Sequence, residues 1–368
     1  MNVAVLGAGN GGYASSADLS LRGFNVNLYE SPEFEQNLKP IIERGGIEIS
    51  GAAGTGFAKP KKVTTSIKEA IEDVDLIIVV TPAFAHKFLA KKCAPYLRNQ
   101  AIVVNPGHTG GALEFAKTLK EEGFRGEIKI GETMVLTYIC RIVGPGQVKV
   151  FHLMKKLLFA AFPSKHTDEL YSMFKELYPA IVPGIHVLET GLTNLAAMFH
   201  PSGMLLNAGW IEFTKGAFKF YYEGITPSVA RVVEALDQER LEIMKALRLK
   251  PIPFTEWYYL KGCTPIKTGS IYEAVQAYEA ARSLRAPSGL NHRYVTENIG
   301  HGLVPIASIA RMFNVPTPNA DALIRIGSTI NKIDFWKEGL TCEKLGIAGL
   351  SLEKLEQFLE RGFSYKHD

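Results

Sequence analysis

"VAVLGAGNGGYASSADLSLRGFNVNLYE", Val3 to Glu30, decides the fold. It opens on a run of small and β-branched apolar residues, breaks into glycines, runs on as a helix-compatible stretch and closes on a second apolar run. Gly7, Gly9 and Gly12 spell G-x-G-x-x-G directly after the first strand. Gly7 permits a tight turn, Gly9 lets the backbone approach a pyrophosphate, and Gly12 lets helix and strand pack closely. The helix that begins around Asn10 and Gly11 offers free N–H groups and its positive dipole end to phosphates. Gly23 stops that helix. Glu30 ends the second strand about 20 residues on, where a carboxylate accepts hydrogen bonds from ribose hydroxyls. Ser31 and Pro32 follow it, with no arginine to receive a 2′-phosphate. The expected cofactor is therefore NAD(H) rather than NADP(H). A glycine-rich turn without a cofactor is the alternative, and the complete strand, turn, helix, strand and acid context disfavours it.

Outward from this stretch the alternation continues. "DLIIVVTP" from Asp75 and "AIVVNPG" from Ala101 are near-continuous apolar runs ending in turn residues, as strands covered on both faces are. Helical patterns such as "AHKFLAKKCAPYL" separate them, which implies right-handed βαβ units and an open doubly wound sheet. "EIKIGE", "GQVKVFHL" and "LLFAAFP" are expected to extend that sheet. Thr81, Pro82 and Asn105 close later strands, on the sheet edge where ligands bind, and are candidate cofactor contacts; they serve equally well as strand-ending turn residues. His108 adds a polar group to the same rim and is not expected to be the catalyst.

After "YPAIVPGIHVLET" strand signals thin out and helical periodicity takes over. Val229, Val232, Val233, Leu236, Ile243 and Leu247 share one helical face, with Thr226 as N-cap and Pro227 at the first helical position. The expected architecture is α/β, an N-terminal Rossmann doubly wound sheet over 1–183 plus an all-helical C-terminal domain over 184–368.

The bulk numbers fit a globular protein of two domains. The chain has 368 residues, 46% hydrophobic and 21% charged, with a net charge of +4 and no basic block, so nucleic acid is excluded as a partner class. Cys93, Cys140, Cys263 and Cys342 form no metal-ligand spacing, and no metal is expected. The sequence contains no membrane-length apolar run and opens on a strand, so no membrane partner and a cytoplasmic location are expected. A homodimer is compatible with it.

Hydride chemistry needs a proton carrier, and histidine titrates near neutrality. His367 lies in the tail, His86 and His166 fall in helical surface patterns, and His152 and His186 border strands. His200, in "NLAAMFHPSGMLLNAG", closes an apolar helical run before Pro201; a helix C-terminus there would favour its protonated form. "LNHRYVTENIGHG", Leu290 to Gly302, gathers His292, Arg293, Glu297 and Asn298 just ahead of an apolar run. Arg293 offers a planar fork for a carboxylate, adjoined by His292, and Glu297 or Asn298 could orient a histidine. A solvated loop with a helix cap explains the same residues.

The chain resembles the opine dehydrogenases, the octopine, nopaline and N-(1-carboxyethyl)-amino-acid dehydrogenases. The resemblance spans essentially the whole sequence through "GAGNGG", "ETMVLTYICR", "HPSGMLLNAG", "YYEGITPSVARVVEALDQER" and "RYVTENIGHGLVP". It implies reductive condensation of an amino acid with a 2-oxo acid such as pyruvate, through an imine that takes hydride from the nicotinamide. By match to the family motif, it implies that His200 is the acid/base and Arg293 anchors a substrate carboxylate. The family reads Glu-Asp where this chain has Glu297-Asn298, and its Asp pairs with the histidine. An amide can orient the ring but cannot stabilise imidazolium by charge. The alternatives are a ketopantoate-reductase-like or sugar- or glycerol-phosphate-type dehydrogenase, using Lys215, Lys219 or Lys261, and a non-catalytic NAD(H)-binding sensor.

Overall fold

The computed structural model describes residues 1–364, and His367 lies outside the described residues. Contacts divide the chain into two units: Met1–Gly107 with Gly111–Thr190 and the residues from Gln357 on, and His108–Gly110 with Gly191–Glu356.

The first unit holds twelve strands among the described residues: β1 (Asn2–Leu6), β2 (Asn25–Tyr29), β3 (Ile47–Gly51), β4 (Gly56–Ala58), β5 (Lys62–Thr64), β6 (Leu76–Val79), β7 (Ala101–Val104), β8 (Ile130–Thr133), β9 (Tyr138–Gly144), β10 (Gln147–Leu153), β11 (Leu157–Phe162) and β12 (Ile181–Pro183). The main sheet has the order β12-β11-β8-β7-β6-β1-β2-β5. From β5 to β8 it is parallel, with Val3 opposite Val26 on one side and Leu76 on the other. Strand β11 runs antiparallel to β8. The chain leaves β1 toward β2 and returns through β6, so the order reverses at β1. That reversal opens a crevice beyond the carboxyl ends of β1 and β6, the ligand-binding position of doubly wound sheets.

Strands β6, β7 and β11 are buried at every position, and each large apolar side chain so placed is worth roughly 1.5–3 kcal/mol. "EIKIGE" and "LLFAAFP" extend this sheet as expected. "GQVKVFHL" does not: β10 belongs to a second, four-stranded sheet of order β4-β3-β10-β9. Its physical reason lies in the strand itself, where Val148 and Val150 are buried while Lys149 and Phe151 face outward. A period-two strand covers one face only, whereas a central strand of a doubly wound sheet is covered on both. His86 and His166, expected on helical surfaces, are both buried in this unit.

Contacts carry the first unit to Thr190, past the expected division at Pro183–Gly184, which coincides with the end of β12. They also return the chain end to it: Phe358 and Phe363 pack on Phe162 with ring centroids 5.2 Å and 5.6 Å away.

The second unit is helical; among the described residues its strand-type pairing is the isolated bridge Lys219–Arg285. Helix Pro227–Ala246 starts as its sequence demands, with Thr226 Oγ1 accepting from the Val229 N–H and Pro227 at the first position. Its interior turns carry an unusual load. Arg240 is fully buried and is held by Asp237 Oδ1 at 2.7 and 2.9 Å and by the carbonyls of Leu192 and Ile252. Asp237 also accepts from the Phe254 N–H, and Glu239 accepts from the first N–H groups of helix Pro318–Asn331. Every charge taken out of water here is paired and hydrogen-bonded, which is the condition for tolerating it. "EALDQER" is therefore a brace that fixes two further helix starts.

Candidate active site

In the first unit the glycine turn is built as its sequence requires. Gly7 has φ +110°, and a Cβ there would meet the Val80 carbonyl oxygen at 2.7 Å. A Cβ at Gly12 would strike the Gly7 carbonyl oxygen at 1.7 Å, so no larger residue fits. A Cβ at Gly9 would meet nothing within 4 Å, which leaves room for a ligand against the backbone. The following helix, Asn10–Leu21, has no side-chain cap and no acid in its first turn, so its amides are not satisfied from within. Gly11 is buried against Val80 and Leu136. Asn10 is tied to β9, its Oδ1 accepting from the Ile142 N–H at 2.7 Å.

Glu30 ends β2 with its carboxylate at this turn. Oε2 accepts from the Ala8 N–H at 2.9 Å, between the first two glycines, and Oε1 accepts from the Ser31 N–H. Thr81 Oγ1 is buried without a hydrogen-bond partner, and Pro82 adjoins it at the end of β6. An open glycine backbone, an orphan hydroxyl and a carboxylate at the second strand's end fit a dinucleotide. Asn105 is different. Its side chain is consumed at the sheet edge, donating to Thr137 Oγ1 at 2.8 Å and accepting from Thr133 at 2.9 Å.

In the second unit, helices Ala196–Leu205 and Arg293–Asn298 pack against one another and bring the quoted polar stretch to His200. The helix bearing His200 does not end there. It continues through Pro201 to Leu205, losing one backbone hydrogen bond, so the expected C-terminal dipole is absent from the ring. The stretch from Arg293 passes into a π-turn at Ile299–Leu303, a local underwinding that is frequent at functional sites. Within it Gly302 lies so close to the His200 helix that a Cβ would sit 2.7 Å from that of Ala197.

His200 is buried and stacked on Tyr294, with ring centroids 3.7 Å apart and planes 8° from parallel. Its Nε2 lies 3.0 Å from the Tyr221 hydroxyl, which is 3.3 Å from that of Tyr294. Burial holds the imidazole well below the usual histidine range, and the Arg293 guanidinium pushes the same way; Asn298 as a hydrogen-bonding neighbour and the Glu297 charge oppose them. Burial thus favours the neutral ring, where a helix C-terminus would have favoured the protonated form. Nδ1 of His200 and Oδ1 of Asn298 are both buried and neither closes a hydrogen bond of good geometry. A proton on Nδ1 suits both atoms and leaves Nε2 to accept from Tyr221.

Glu297 is committed elsewhere. Its Oε1 lies 3.1 Å from His108 Nε2, and its Oε2 is 4.0 Å from Arg293 Nη1. The Arg293 side chain is 53% exposed, so that longer contact is weak and its fork remains available. His292 caps the helix, its Nδ1 accepting from the Tyr294 N–H at 3.2 Å. The stretch thus contains both a helix cap and a buried polar centre. Sequence reasoning missed Tyr221, Tyr294 and the His108–Glu297 pair; Tyr221 stands in a quoted motif, but a phenol there reads equally as core.

Among the described residues no group of three or more His, Cys, Asp or Glu is placed to hold a metal ion, and no helix is long and apolar enough to cross a membrane.

The chain is 40% identical to the opine dehydrogenase of Arthrobacter sp. (strain 1C), over 97% of this chain and 98% of that one. It belongs to the opine dehydrogenase family. The helical-domain model of NAD/NADP octopine/nopaline dehydrogenases matches residues 183–331, and the N-terminal model of NAD-dependent glycerol-3-phosphate dehydrogenases matches residues 2–146. Protein ocs of Agrobacterium vitis is 25% identical over 97% of this chain and 98% of its own. The solved structure of octopine dehydrogenase with NADH and L-arginine superposes with a TM-score of 0.77 at 21% identity, covering 100% and 99% of the two chains, a likeness of fold. As a member of the opine dehydrogenase family the chain is an NAD-dependent oxidoreductase acting on CH–NH bonds.

Proposed function

We propose that this protein condenses an amino acid with a 2-oxo acid and reduces the resulting imine to a secondary amine dicarboxylate, with His200 as proton shuttle and Arg293 as a carboxylate anchor. The observation that carries this reading is a buried imidazole stacked on Tyr294, beside an exposed guanidinium on the helix packed against its own. A neutral base suits the first step, because an amino acid arrives as an ammonium. His200 takes one proton from it, freeing the lone pair that attacks the carbonyl. The imidazolium then returns that proton to the carbinolamine hydroxyl, which leaves as water and gives an iminium ion. Bound nicotinamide supplies hydride to such a carbon, and the chain's own groups position, deprotonate and reprotonate. Asn298 fixes the ring, and Tyr221 holds its second nitrogen. All four cysteines are buried, which agrees with a reducing, cytoplasmic setting.

The test is NADH consumption with a panel of amino acids, each with and without pyruvate. Turnover that requires both substrates supports the reading, turnover with the oxo acid alone indicates a simple ketoreductase, and none with either indicates a sensor. Lys215 and Lys219 are exposed; Lys261 is buried with its Nζ 5.1 Å from the centre of the Tyr258 ring.

Two expectations concern named residues. Glu30 should make NADH the preferred cofactor, because a 2′-phosphate would meet a like charge beside the Ala8 amide. Glu30→Ala should weaken NADH and relieve the bias against NADPH, read as the ratio of kcat/KM values. Equal use of both cofactors by the unaltered protein would remove this role for Glu30.

Asn298→Asp should raise the His200 pKa, since a carboxylate favours imidazolium and an amide does not. The pH limb governed by His200 should then move to higher pH in both the reductive and the oxidative direction, because one group is responsible for both. Paired pH–rate profiles check this. If neither limb moves, Asn298 does not act on the ring.

A further inference from the structure

Resting on the proposed reaction, we propose that His200 exchanges protons with the substrate through two phenols, Tyr221 and then Tyr294, and that the Tyr294 hydroxyl is the group the substrate meets. Neither ring nitrogen of His200 is open. Nδ1 is buried, and Nε2 is capped by the Tyr221 hydroxyl at 3.0 Å. One face of the ring is covered as well, by Tyr294 stacked at 3.7 Å. A general base must reach the proton it takes through a hydrogen bond, made directly or by way of a bridging hydroxyl such as water. Here the bridge is built into the protein.

Tyr221 Oη lies 3.0 Å from His200 Nε2 and 3.3 Å from Tyr294 Oη. The second contact is long for O–H···O, as catalytic hydrogen bonds often are before substrate tightens them. A phenol donates one hydrogen bond, so the direction of the row depends on the imidazole. While Nε2 is bare, Tyr221 donates to it and Tyr294 donates to Tyr221. Once Nε2 carries a proton, it donates to Tyr221, Tyr221 donates to Tyr294, and the Tyr294 O–H is released. Among the described residues the Tyr294 hydroxyl has a single hydrogen-bond partner, Tyr221, so the released proton has no acceptor among them. Tyr294 retains 8% of its surface, and the Arg293 guanidinium lies near enough for its charge to bear on the same imidazole. A carboxylate held by Arg293 therefore brings the reacting nitrogen to the neighbourhood of this row.

The steps balance. In deprotonation the substrate N–H bond breaks and its proton goes to Tyr294 Oη. The Tyr294 proton goes to Tyr221 Oη, and the Tyr221 proton goes to Nε2. The amine keeps the electron pair and the imidazole gains the charge. The return step runs the row backwards and delivers a proton to the carbinolamine oxygen, which leaves as water. Both phenols end each step neutral. Burial, with the neighbouring Tyr294, holds the Tyr221 hydroxyl well above the usual phenol range, so Tyr221 passes a proton on only as it receives one.

Tyr294→Phe is the deciding variant, because it keeps the ring stacked on His200 and removes the hydroxyl alone. Steady-state turnover is measured with NADH and the amino acid and oxo acid pair that the wild type uses. For Tyr294→Phe, kcat should fall roughly 10²-fold, the low end of the range for a lost proton-transfer group, while NADH affinity holds. Tyr221→Phe should lose a similar factor, and it decides the matter should Tyr294→Phe fail to fold. In the His200→Ala background neither change should cost more, because the row leads only to the missing imidazole; a loss of packing would instead multiply. Wild-type kcat in Tyr294→Phe overturns the relay, and so does a loss that persists in full on top of His200→Ala. Absence of wild-type turnover with every pair overturns the proposed reaction and this inference with it. Turnover abolished in His200→Ala but retained in Tyr294→Phe removes this inference alone.

Discussion

His200→Ala is expected to lower turnover by roughly 10²–10⁴, the range for loss of a general acid–base group. The same imidazole serves twice, deprotonating the ammonium and protonating the departing hydroxyl, so both halves of the condensation slow together. The loss should fall on kcat, with NADH affinity retained, because the glycine turn and Glu30 belong to the other unit. Some stability should also go: the ring is buried and stacked on Tyr294 at 3.7 Å, and truncation leaves a cavity beside it. Three readouts separate chemistry from packing. A thermal melt reports the packing loss. Added imidazole should restore part of the rate. A preformed cyclic imine carboxylate, which needs no condensation, should be reduced by the variant at close to the wild-type rate. If the cyclic imine is affected as severely as the amino acid and oxo acid pair, His200 acts in the reduction step and the shuttle is misassigned.

Legibility in the sequence followed the range of the physics. Gly7, Gly12 and Glu30 were readable because a tight turn, a close helix–strand contact and a strand-end carboxylate are local requirements, settled within thirty residues. The fully apolar runs of β6, β7 and β11 were equally plain, since burial on both faces leaves no alternation. The alternation in β10 was just as local, and weighing Lys149 and Phe151 would have placed that strand outside the main sheet. Pro201 misled because a proline usually ends a helix, whereas this one, packed through Ala197 against Gly302, runs on to Leu205. The sign of the His200 pKa shift was out of reach for the same reason: burial by Tyr294 and Tyr221 depends on residues 21 and 94 positions away. The His108–Glu297 pair spans 189 positions, and no periodicity or motif spacing carries information over that range.

Acid should loosen the helical unit before the sheet-bearing one. Burial lowers His301 from 6.5 to about 4 and holds His200 well below 6.5, and both lie in the helical unit. A histidine depressed in the fold makes the unfolded chain bind more protons. The fold's stability is then complete above about 6.5 and falls as pH drops toward the folded value. At ~1.36 kcal/mol per unit, a window of about 2.5 units amounts to roughly 3 kcal/mol for His301, and His200 adds in the same direction. In the sheet-bearing unit the signs oppose. His186 is likewise lowered to about 4, but the fully buried Glu132 is raised from 4.5 to about 7. A raised carboxyl contributes stability below its unfolded value and loses it as pH rises through the folded one, so acidification returns what His186 takes away. His166, lowered, and Glu189, raised, form a second opposed pair in that unit. Hydrogen–deuterium exchange from pH 7.5 to 4.5, corrected for intrinsic rates, should therefore show protection failing first in helices Ala196–Leu205 and Val304–Met312. Asn298→Asp should delay that failure, because raising the His200 value toward 6.5 shrinks its share of the window. Earlier loss of protection in β6 and β7 than in those helices would show that the buried histidines do not set the acid limit.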